Sequence, residues 1–588
     1  MTRSQSRLLI LLTVAVLAAL PAMLGAFGMT LMNYTGIYAL VTLGLVLLTG
    51  VGGLTSFGQA AFVGIGAYAT AWWSALHGGS PWIGLVLALL LTGGVAMILG
   101  LATLRLGGHL LPLSTIAWGI AIYFLFGNIE AIGLHNGISG IPPITLGPLS
   151  FNGAVASYYL IWGLLGGVML LCANLLDSRE GRAIRSLRGG VALAESQGID
   201  TFRVRLEVFV LAGLLAGLSG WLYAHVQRYV SPSAFDVRPS IEYLFMAMLG
   251  GAGHVAGAVV GAAAVTLLKN VVQDVLPLVA RDSGQLEIVV FGSLFILMLQ
   301  NARSGIVPFV ARYLPRPAPP PSVKAAPLAQ RPPLAAGSPL LSVDGVVKRF
   351  GGLVAVNAID FELKAGEILG LIGPNGAGKS TMFNLITGVL KPDAGRIDFL
   401  GENIAGMKAQ RIAARGIART FQHVKLRPSM TLLENTMLGA YVRTRAGILA
   451  GALRLDRAEE RSARADALAQ LRRVGLADRA HELAGNLPLG QQRVLEVARA
   501  LAAAPVLIIL DEPAAGLRHM EKAALADLLR ALRREGSTIL LVEHDMDFVM
   551  GLVDRIVVMD FGVKLAEGLP AEIRANPRVQ EAYLGGVA

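Results

Sequence analysis

A long stretch almost free of charge constrains this chain most. Between Arg7 and Asp177, only Arg105 and Glu130 carry a formal charge. Over the whole chain 54% of residues are hydrophobic and 15% are charged, whereas soluble proteins are about 25% charged. A soluble core cannot hold so long an apolar run, so the sequence predicts a membrane domain made of many helices.

The apolar runs predict about eight to ten transmembrane helices. A helix needs about 20 apolar residues to cross a bilayer, because each residue advances it by about 1.5 Å. Candidate spans lie near 8–27, 30–50, 56–77, 82–104, 109–131, 156–176, 207–227, 240–276 and 285–301. The 240–276 stretch is too long and too glycine-rich for one simple helix, so two short or re-entrant pieces are the alternative.

Polar and charged residues in this half predict its orientation in the membrane and a candidate path for a solute. Six arginines within 178–205 predict a cytoplasmic loop by the positive-inside rule. Gln59, Glu130 and His254 are candidates to line a path through the membrane, with a purely structural role as the alternative for each. The single cysteine, Cys172, excludes a disulfide framework and a cysteine-rich metal site.

Net charge bears on the partners of the chain. The total of +11 divides into +4 before residue 314, +3 in 314–339 and +4 after it. This even spread does not favour nucleic acid as a partner. Cytoplasmic loops beside anionic membrane lipid explain the excess better.

A proline-rich segment divides the chain into two domains. Residues 314–339 hold nine of the 27 prolines and predict a semi-rigid linker. After it, short apolar runs alternate with helical stretches, which predicts a parallel sheet covered by helices. We therefore expect a helical membrane domain at 1–313 and an α/β domain at 340–588.

The first candidate functional motif of the second domain is a phosphate-binding loop. It follows the apolar run Ile368–Ile372 and precedes a helical run, as the P-loop requires. Its backbone N–H groups would hold phosphate, Lys379 would hold the β- and γ-phosphates of ATP, and Ser380 would bind Mg²⁺. The loop comprises Gly373, Pro374, Asn375, Gly376, Ala377, Gly378, Lys379, Ser380 and Thr381.

An acidic pair follows another apolar strand, Val506–Leu510. A carboxylate at the carboxyl end of this strand faces the same phosphate site. Asp511 therefore suits the Mg²⁺ shell, and Glu512 suits the base that orients the attacking water. The alternative is a simple acidic turn.

The order of these motifs resembles the ATPase domain of ABC transporters, which has an α/β P-loop core and a helical subdomain. The resemblance implies that Gln422 is the glutamine that senses Mg²⁺, that His544 is the switch histidine near the γ-phosphate, and that Phe350 stacks on adenine. It also implies a signature segment that caps the ATP of an opposite ATPase domain. That segment comprises Leu487, Pro488, Leu489, Gly490 and Gln491.

The signature departs from the usual Leu-Ser-Gly-Gly-Gln. Pro488 replaces the serine and Leu489 replaces a glycine. We expect ATP binding to survive this change, because the helix N-terminus and Gly490 remain. Whether the segment supports hydrolysis in the partner's site stays open.

The membrane half resembles the permeases of branched-chain amino-acid importers, in Leu48–Tyr68 and again in Ser240–Gly253. Together with the ATPase half, the chain resembles the branched-chain amino-acid (Liv, hydrophobic amino-acid uptake) family, as a LivM-type permease fused to a LivG-type ATPase. The arginine-rich loop then resembles the coupling helix that docks into the ATPase. Its candidate residues are Ala194, Glu195 and Gly198.

The resemblance implies ATP-driven import of branched-chain or related amino acids across the bacterial inner membrane, with the ATPase domain in the cytoplasm. A second permease, a second ATPase and a periplasmic solute-binding protein would complete the assembly. Three alternatives stay open. They are the same importer class for urea, short amides or aromatic acids, a homodimeric ABC exporter, and a membrane-coupled ATPase that transports nothing.

Overall fold

The computed structural model describes residues 3–106, 110–279, 305–313, 325–332 and 334–584, and a few single residues between 289 and 300. The chain forms two compact units. The first, the membrane unit, comprises Met1–Asp177 and Phe202–Pro320, and the second, the ATPase unit, comprises Ser178–Thr201 and Pro321–Ala588. The ATPase unit therefore includes an inserted segment, Ser178–Thr201, that the sequence boundaries assign to the membrane domain.

Six helices among the described residues are long and apolar enough to cross a membrane. These helices are Ala26–Val51, Pro81–Thr103, Leu110–Asn128, Ala154–Leu176, Thr201–Gln227 and Val255–Asp274. Shorter helices in the membrane unit are Arg3–Ala19, Gln59–Ala71, Val237–Gly251 and Ile306–Ala311.

The sequence predicts eight to ten spans, and the difference has local causes. Predicted span 56–77 is a short helix, Gln59–Ala71, that continues as a π-helical turn. Predicted span 240–276 is interrupted, as in the alternative interpretation, between Val237–Gly251 and the next helix, Val255–Val279. Predicted span 285–301 lies largely outside the described residues.

Glycine allows the two halves of the interrupted segment to pack backbone against backbone. A β-carbon at Gly250 would lie 1.8 Å from the carbonyl oxygen of Gly257, and one at Gly261 would lie 1.8 Å from that of Met246. Contacts this close leave no room for a side chain. The four-residue spacing of small residues therefore serves helix packing.

Two sheets form the core of the ATPase unit. The first has six strands, of which the first five are parallel and the last is antiparallel to its neighbour. Its strand order is Ile417–Arg419, Leu507–Asp511, Thr538–Val542, Ile368–Ile372, Arg555–Asp560 and Val563–Gly568. The second sheet is antiparallel, in the order Leu353–Lys364, Pro339–Phe350, Ala394–Phe399 and Glu402–Asn403.

Helices cover the six-stranded sheet and build a separate helical subdomain. Leu432–Gly439, Arg457–Arg473 and Leu489–Ala502 share their own apolar core, which includes Leu433 and Leu471. The remaining helices of this unit are Arg179–Ser186, Val191–Ser196, Lys379–Ile386, Ala409–Arg415, Ile448–Ala452, His519–Arg534, Met546–Met550, Pro570–Ala575 and Pro577–Leu584.

The carboxyl-terminal part of the proline-rich linker lies on the ATPase unit. The Arg443 guanidinium donates to the carbonyl oxygens of Leu328 and Ala329, at 2.9 and 3.0 Å. Gln330 Nε2 donates to Asp466 Oδ1 at 3.1 Å. Residues 325–332 thus belong to this unit, although the composition predicts only a linker there.

Candidate functional site

The phosphate-binding loop sits at the carboxyl end of Ile368–Ile372, a buried strand inside the six-stranded sheet. The turn needs glycine at Gly373, where φ is 152° and a β-carbon would lie 2.0 Å from the Met559 carbonyl oxygen. Gly378, with φ of 98°, caps the helix Lys379–Ile386. The loop therefore ends at a helix N-terminus, which favours an anion.

Lys379 points back into this loop. Its Nζ donates to the carbonyl oxygens of Gly373 and Pro374, at 2.8 and 2.9 Å. Burial lowers the pKa of Lys379, while the carboxylates of Glu512 and Asp511 act in the opposite direction. A phosphate anion in the loop would stabilise this buried ammonium group.

The other loop residues line the loop surface. Asn375, Gly376 and Ser380 are exposed, Thr381 is half-buried and Ala377 is buried. The Ala377 N–H donates to the Pro374 carbonyl oxygen at 3.2 Å. The Ser380 hydroxyl is thus accessible in the first turn of the helix.

Asp511 ends the strand Leu507–Asp511, which Thr538–Val542 separates from the strand of the phosphate loop, and Asp511 is buried. Its Oδ2 accepts a hydrogen bond from Arg419 at 3.3 Å, whereas its Oδ1 has no hydrogen-bond partner among the described residues. Burial raises the pKa of Asp511, and Arg419 opposes that shift. A buried carboxylate oxygen without a partner, with the Ser380 hydroxyl in the adjacent loop, is a donor set that fits Mg²⁺.

Two predicted polar residues, Gln422 and His544, approach a third, Glu512. Gln422 Nε2 donates to Glu512 Oε2 at 3.2 Å, and His544 Nδ1 lies 3.7 Å from the same oxygen. Glu512 has a φ of 47°, in the left-handed region that costs a non-glycine residue energy. The structure thus brings Gln422, Glu512 and His544 together, although they are far apart in sequence.

Arg493 and Glu543 hold this group, and sequence reasoning missed both. Arg493 Nη1 donates to the Glu512 carbonyl oxygen at 2.9 Å, and its Nη2 donates to the Gln422 carbonyl oxygen at 3.1 Å. Glu543 is fully buried and accepts from the Ala514 N–H at 2.6 Å. Burial raises the pKa of Glu543. Arg493 lies two residues after Gln491, and Glu543 directly precedes His544, but the sequence pattern marks neither as a partner of these main-chain atoms.

Phe350 lies at the end of the strand Pro339–Phe350 and is 44% exposed. Lys348 Nζ lies 5.6 Å from the centroid of its ring. An exposed aromatic ring at a strand end is available for stacking. This exposure does not fit a role in the hydrophobic core.

The signature segment begins the helix Leu489–Ala502. Pro488 is the N-cap and makes no side-chain hydrogen bond there, while Leu487 is buried and Leu489 is half exposed. A β-carbon at Gly490 would lie 2.5 Å from a carboxylate oxygen of Glu521. Gln491 accepts a hydrogen bond from Arg479.

Arginines of the inserted segment, Ser178–Thr201, bind the helical subdomain. Both Nη atoms of Arg182 donate to the carboxylate of Glu460, at 2.9 and 2.7 Å. Arg185 Nη1 donates to Glu434 Oε1 at 3.0 Å. The Arg179 guanidinium lies 3.5 Å from the centroid of the Tyr441 ring. Sequence reasoning used these arginines to predict the cytoplasmic side, and it named other residues of the loop as candidates for docking.

The coupling residues predicted from the sequence lie elsewhere in the same segment. Ala194 is fully buried, and Glu195 accepts a hydrogen bond from Thr201 within the segment at 3.0 Å. Gly198 has a φ of 79°, and a β-carbon there would lie 2.1 Å from Val442 Cγ1. Gly198 thus lies in direct contact with Val442, in the rest of the ATPase unit.

Comparison with known families covers both halves. The model described as the permease component of the branched-chain amino acid transport system matches residues 27–299. The ABC transporter model matches 356–515, and the model of the branched-chain amino acid ATP-binding cassette transporter matches 563–588. Fold and site therefore define an ATP-binding cassette that follows a membrane permease domain, and the chain is a multi-pass membrane protein with a soluble ATPase domain.

Individual relatives match the ATPase half. The high-affinity branched-chain amino acid transport ATP-binding protein LivG of Escherichia coli (strain K12) is 46% identical over 252 residues, which are 42% of this chain and 98% of LivG. The corresponding protein BraF of Pseudomonas aeruginosa is 44% identical over 250 residues, with the same coverage. The chain belongs to this family of branched-chain amino acid ABC transporters, with the permease and the ATP-binding component in one polypeptide.

Proposed function

We propose that this chain is the permease–ATPase subunit of an importer that moves branched-chain amino acids across the bacterial inner membrane. The observation that carries the proposal is the inserted segment, Ser178–Thr201. It leaves the membrane helices, contributes Arg182 and Arg185 to the ATPase unit, and returns to a membrane helix. A conformational change of the ATPase is thereby connected to the permease by covalent chain.

ATP would bind with its phosphates on the loop Gly373–Thr381 and its adenine against Phe350. Lys379, which already lies in the loop, would exchange its carbonyl partners for the β- and γ-phosphates. Ser380 and Asp511 would hold Mg²⁺, with Gln422 near it. The metal ion would neutralise charge that develops on the phosphates.

Glu512 would accept the proton of the attacking water at Oε2, the atom next to both Gln422 and His544. Those two side chains would orient the water and respond to the γ-phosphate. Arg493 would keep the backbone of Glu512 in place while this happens. Hydrolysis would then allow the two closed ATPase domains to separate.

One chain supplies one P-loop and one signature segment, so a second ATPase subunit is needed to complete each nucleotide site. A second permease would complete the path, and a periplasmic binding protein would deliver the amino acid. The aliphatic substrate class comes from the relatives LivG and BraF, which are named for branched-chain amino acids.

Uptake of labelled leucine into proteoliposomes tests the proposal, with the chain assembled with its partner subunits and binding protein. We expect ATP-dependent uptake of leucine, isoleucine and valine. Glu512→Gln should abolish uptake and hydrolysis while ATP binding persists, because the base is lost and the phosphate loop is intact. Glu535→Gln, on the surface of the same unit, is the matched control.

Failure would also be informative. Uptake of urea or of an aromatic acid without uptake of leucine would overturn the substrate class. Export of solute by the chain alone would overturn the importer assignment.

A further inference from the structure

In the membrane unit, the break between two glycine-packed helices lies against the π-helical turn that precedes another interruption. Residues 52–58 separate the π-helical turn Val46–Val51 from the helix Gln59–Ala71, and residues 252–254 separate the two glycine-packed helices. A β-carbon at Gly50 would lie 2.8 Å from Gly253 N. Irregular backbone within a membrane domain is tolerated where it is buried in protein or lines a solute path.

The N-terminus of the helix Gln59–Ala71 is tied to the first turn of the helix Val237–Gly251, at the end of that helix away from the break at 252–254. The Ala60 N–H donates to Ser240 Oγ at 2.9 Å. Just before the helix, the Phe57 N–H donates to Thr115 Oγ1 at 3.1 Å. The N-cap residue, Gly58, has no side chain that can accept a hydrogen bond from the first turn. Ser240 thus takes one first-turn donor, and the positive end of the helix still favours an anionic group.

Gln59 is the second, independent observation. Its side chain is fully buried in the first turn of the helix, and neither Oε1 nor Nε2 has a hydrogen-bond partner among the described residues. A buried amide without partners destabilises the fold, and a leucine of similar size would avoid that cost. A group this costly, in a membrane interior, indicates a ligand that satisfies it at some stage of the cycle.

We propose that Gln59 and the N-terminus of its helix form a transient binding site for the α-amino-acid group of the transported substrate. The inference rests on the proposed function and adds the site in the path. The substrate carboxylate accepts from Gln59 Nε2 and from first-turn N–H groups, and the substrate ammonium group donates to Gln59 Oε1.

The proposed site also includes a neighbouring cavity for the apolar side chain of the substrate. A small cavity beside the helix start is walled mainly by apolar groups, and the proposal requires it to widen when a substrate enters. Its lining includes Gly58, Ala61, Phe62, Leu99, Trp118 and Ile122. The site thus pairs a polar end for the amino-acid group with an apolar side for an aliphatic chain.

The test uses the assembled transporter with its binding protein in proteoliposomes. Leucine uptake, basal ATP hydrolysis and the unfolding temperature are measured for Gln59→Leu and Gln59→Glu. The matched control is Thr92→Val, which removes another buried polar atom without a partner, the Thr92 hydroxyl, from the membrane unit. Thr92→Val should leave uptake within about twofold of wild type, because it lies outside the proposed site.

We expect Gln59→Leu to lower leucine uptake about tenfold or more, since a hydrogen bond to a charged group is lost. Its basal hydrolysis and unfolding temperature should equal or exceed those of wild type, because a buried unsatisfied amide is removed. Gln59→Glu should transport even less, because its charge repels the substrate carboxylate.

Two results would overturn the inference alone. One is leucine uptake at the wild-type rate in Gln59→Leu. The other is a loss of uptake in Gln59→Leu that is matched by a proportional fall in its unfolding temperature. Uptake of urea in place of leucine by the unmodified transporter would overturn the proposed substrate class and the carboxylate site together. Uptake of an aromatic acid that depends on Gln59 would overturn the branched-chain class and support the site.

Discussion

At the scale of single residues, Arg493 fixes the backbone around the candidate base. Glu512 is held in the left-handed region, its N–H donates to the Val542 carbonyl oxygen at 2.9 Å, and its own carbonyl oxygen accepts from Arg493. Such a conformation costs about 1–3 kcal/mol and persists because its surroundings determine it. Arg493 belongs to the signature helix, so that helix and the base are mechanically joined.

Arg493→Ala should therefore lower kcat for ATP hydrolysis about tenfold or more and leave ATP affinity within about threefold. Among the described residues, the hydrogen bonds of Arg493 go to the main-chain carbonyls of Gln422 and Glu512 and not to the phosphate loop. Arg493→Lys should recover part of the rate, because one donor can still be placed. Steady-state hydrolysis and nucleotide binding of the assembled transporter measure both quantities.

Arg472→Ala is the control, as an exposed arginine of the same subdomain. A loss of ATP affinity with unchanged kcat would show that Arg493 acts on nucleotide binding instead.

Residue positions were predictable where chain order and sheet geometry decide them. Lys379 and Asp511 follow strands of one sheet, and the carboxyl ends of parallel strands meet at one edge, so motif spacing placed both. The sequence could not place Arg493 or Glu543, because their partners are main-chain atoms whose positions depend on the whole fold. Phe350 was placed by resemblance to a family rather than by pattern.

At the scale of elements, the inserted segment grips two helices of the helical subdomain. Arg182 binds Glu460 in the helix Arg457–Arg473, and Arg185 binds Glu434 in the helix Leu432–Gly439. The Arg182 side chain is 5% exposed, and its pairing with the carboxylate is bidentate. Such a pair is strongly oriented, and breaking one partner of a buried pair typically costs about 3–5 kcal/mol.

A charge exchange tests this element. Arg182→Glu alone and Glu460→Arg alone should each lower leucine uptake at least tenfold, because each places two like charges together. The double variant should recover at least half of wild-type uptake, since the pair is re-formed with its charges reversed. Uptake per ATP hydrolysed reports coupling directly.

The exposed pair of Arg530 with Asp527 serves as the reference, and Arg530→Glu should change uptake less than twofold. If the double variant transports no better than either single variant, the ion pair is not what couples the segment to the ATPase.

The contacts and breaks of these elements could not be predicted from the sequence, for a physical reason. Charge density marks the cytoplasmic side of a loop, but it does not distinguish arginines that face lipid from those that bind a folded domain. Hydropathy likewise detects the apolar content of 240–276 without placing the break after Gly251. That break depends on close glycine contacts between the two helices that flank it.

At the scale of the whole molecule, the chain holds one copy of each motif, which is the basis for proposing a second ATPase subunit. The proposed contact to the partner's ATP comes from the start of the helix Leu489–Ala502, where Pro488 offers no hydroxyl. The helix N-terminus remains, so an anion is still favoured there. The nucleotide site shared by the two ATPase domains would thus keep the electrostatic field of the helix N-terminus, but it would lack the hydrogen-bond donor of a serine hydroxyl.

Pro488→Ser should raise ATP hydrolysis of the assembled transporter several-fold, because a serine hydroxyl at the N-cap can donate to a phosphate oxygen. Hydrolysis is measured at saturating ATP, and Pro570→Ser, at the start of a peripheral helix, is the control. An unchanged rate for Pro488→Ser would show that the proline does not limit turnover.

The inserted segment also has a consequence for how firmly the ATPase must be held. It is covalently continuous with membrane helices at both of its ends, and the ATPase half is part of the same polypeptide, so docking is intramolecular. Tethering by a flexible linker creates an effective concentration on the order of millimolar, so contacts with an intrinsic Kd of about 0.1 mM would leave roughly nine-tenths of the molecules docked. The arginine contacts can therefore be weak enough to break and re-form within each transport cycle, and the ATPase is neither lost to the cytoplasm nor exchanged for that of another transporter.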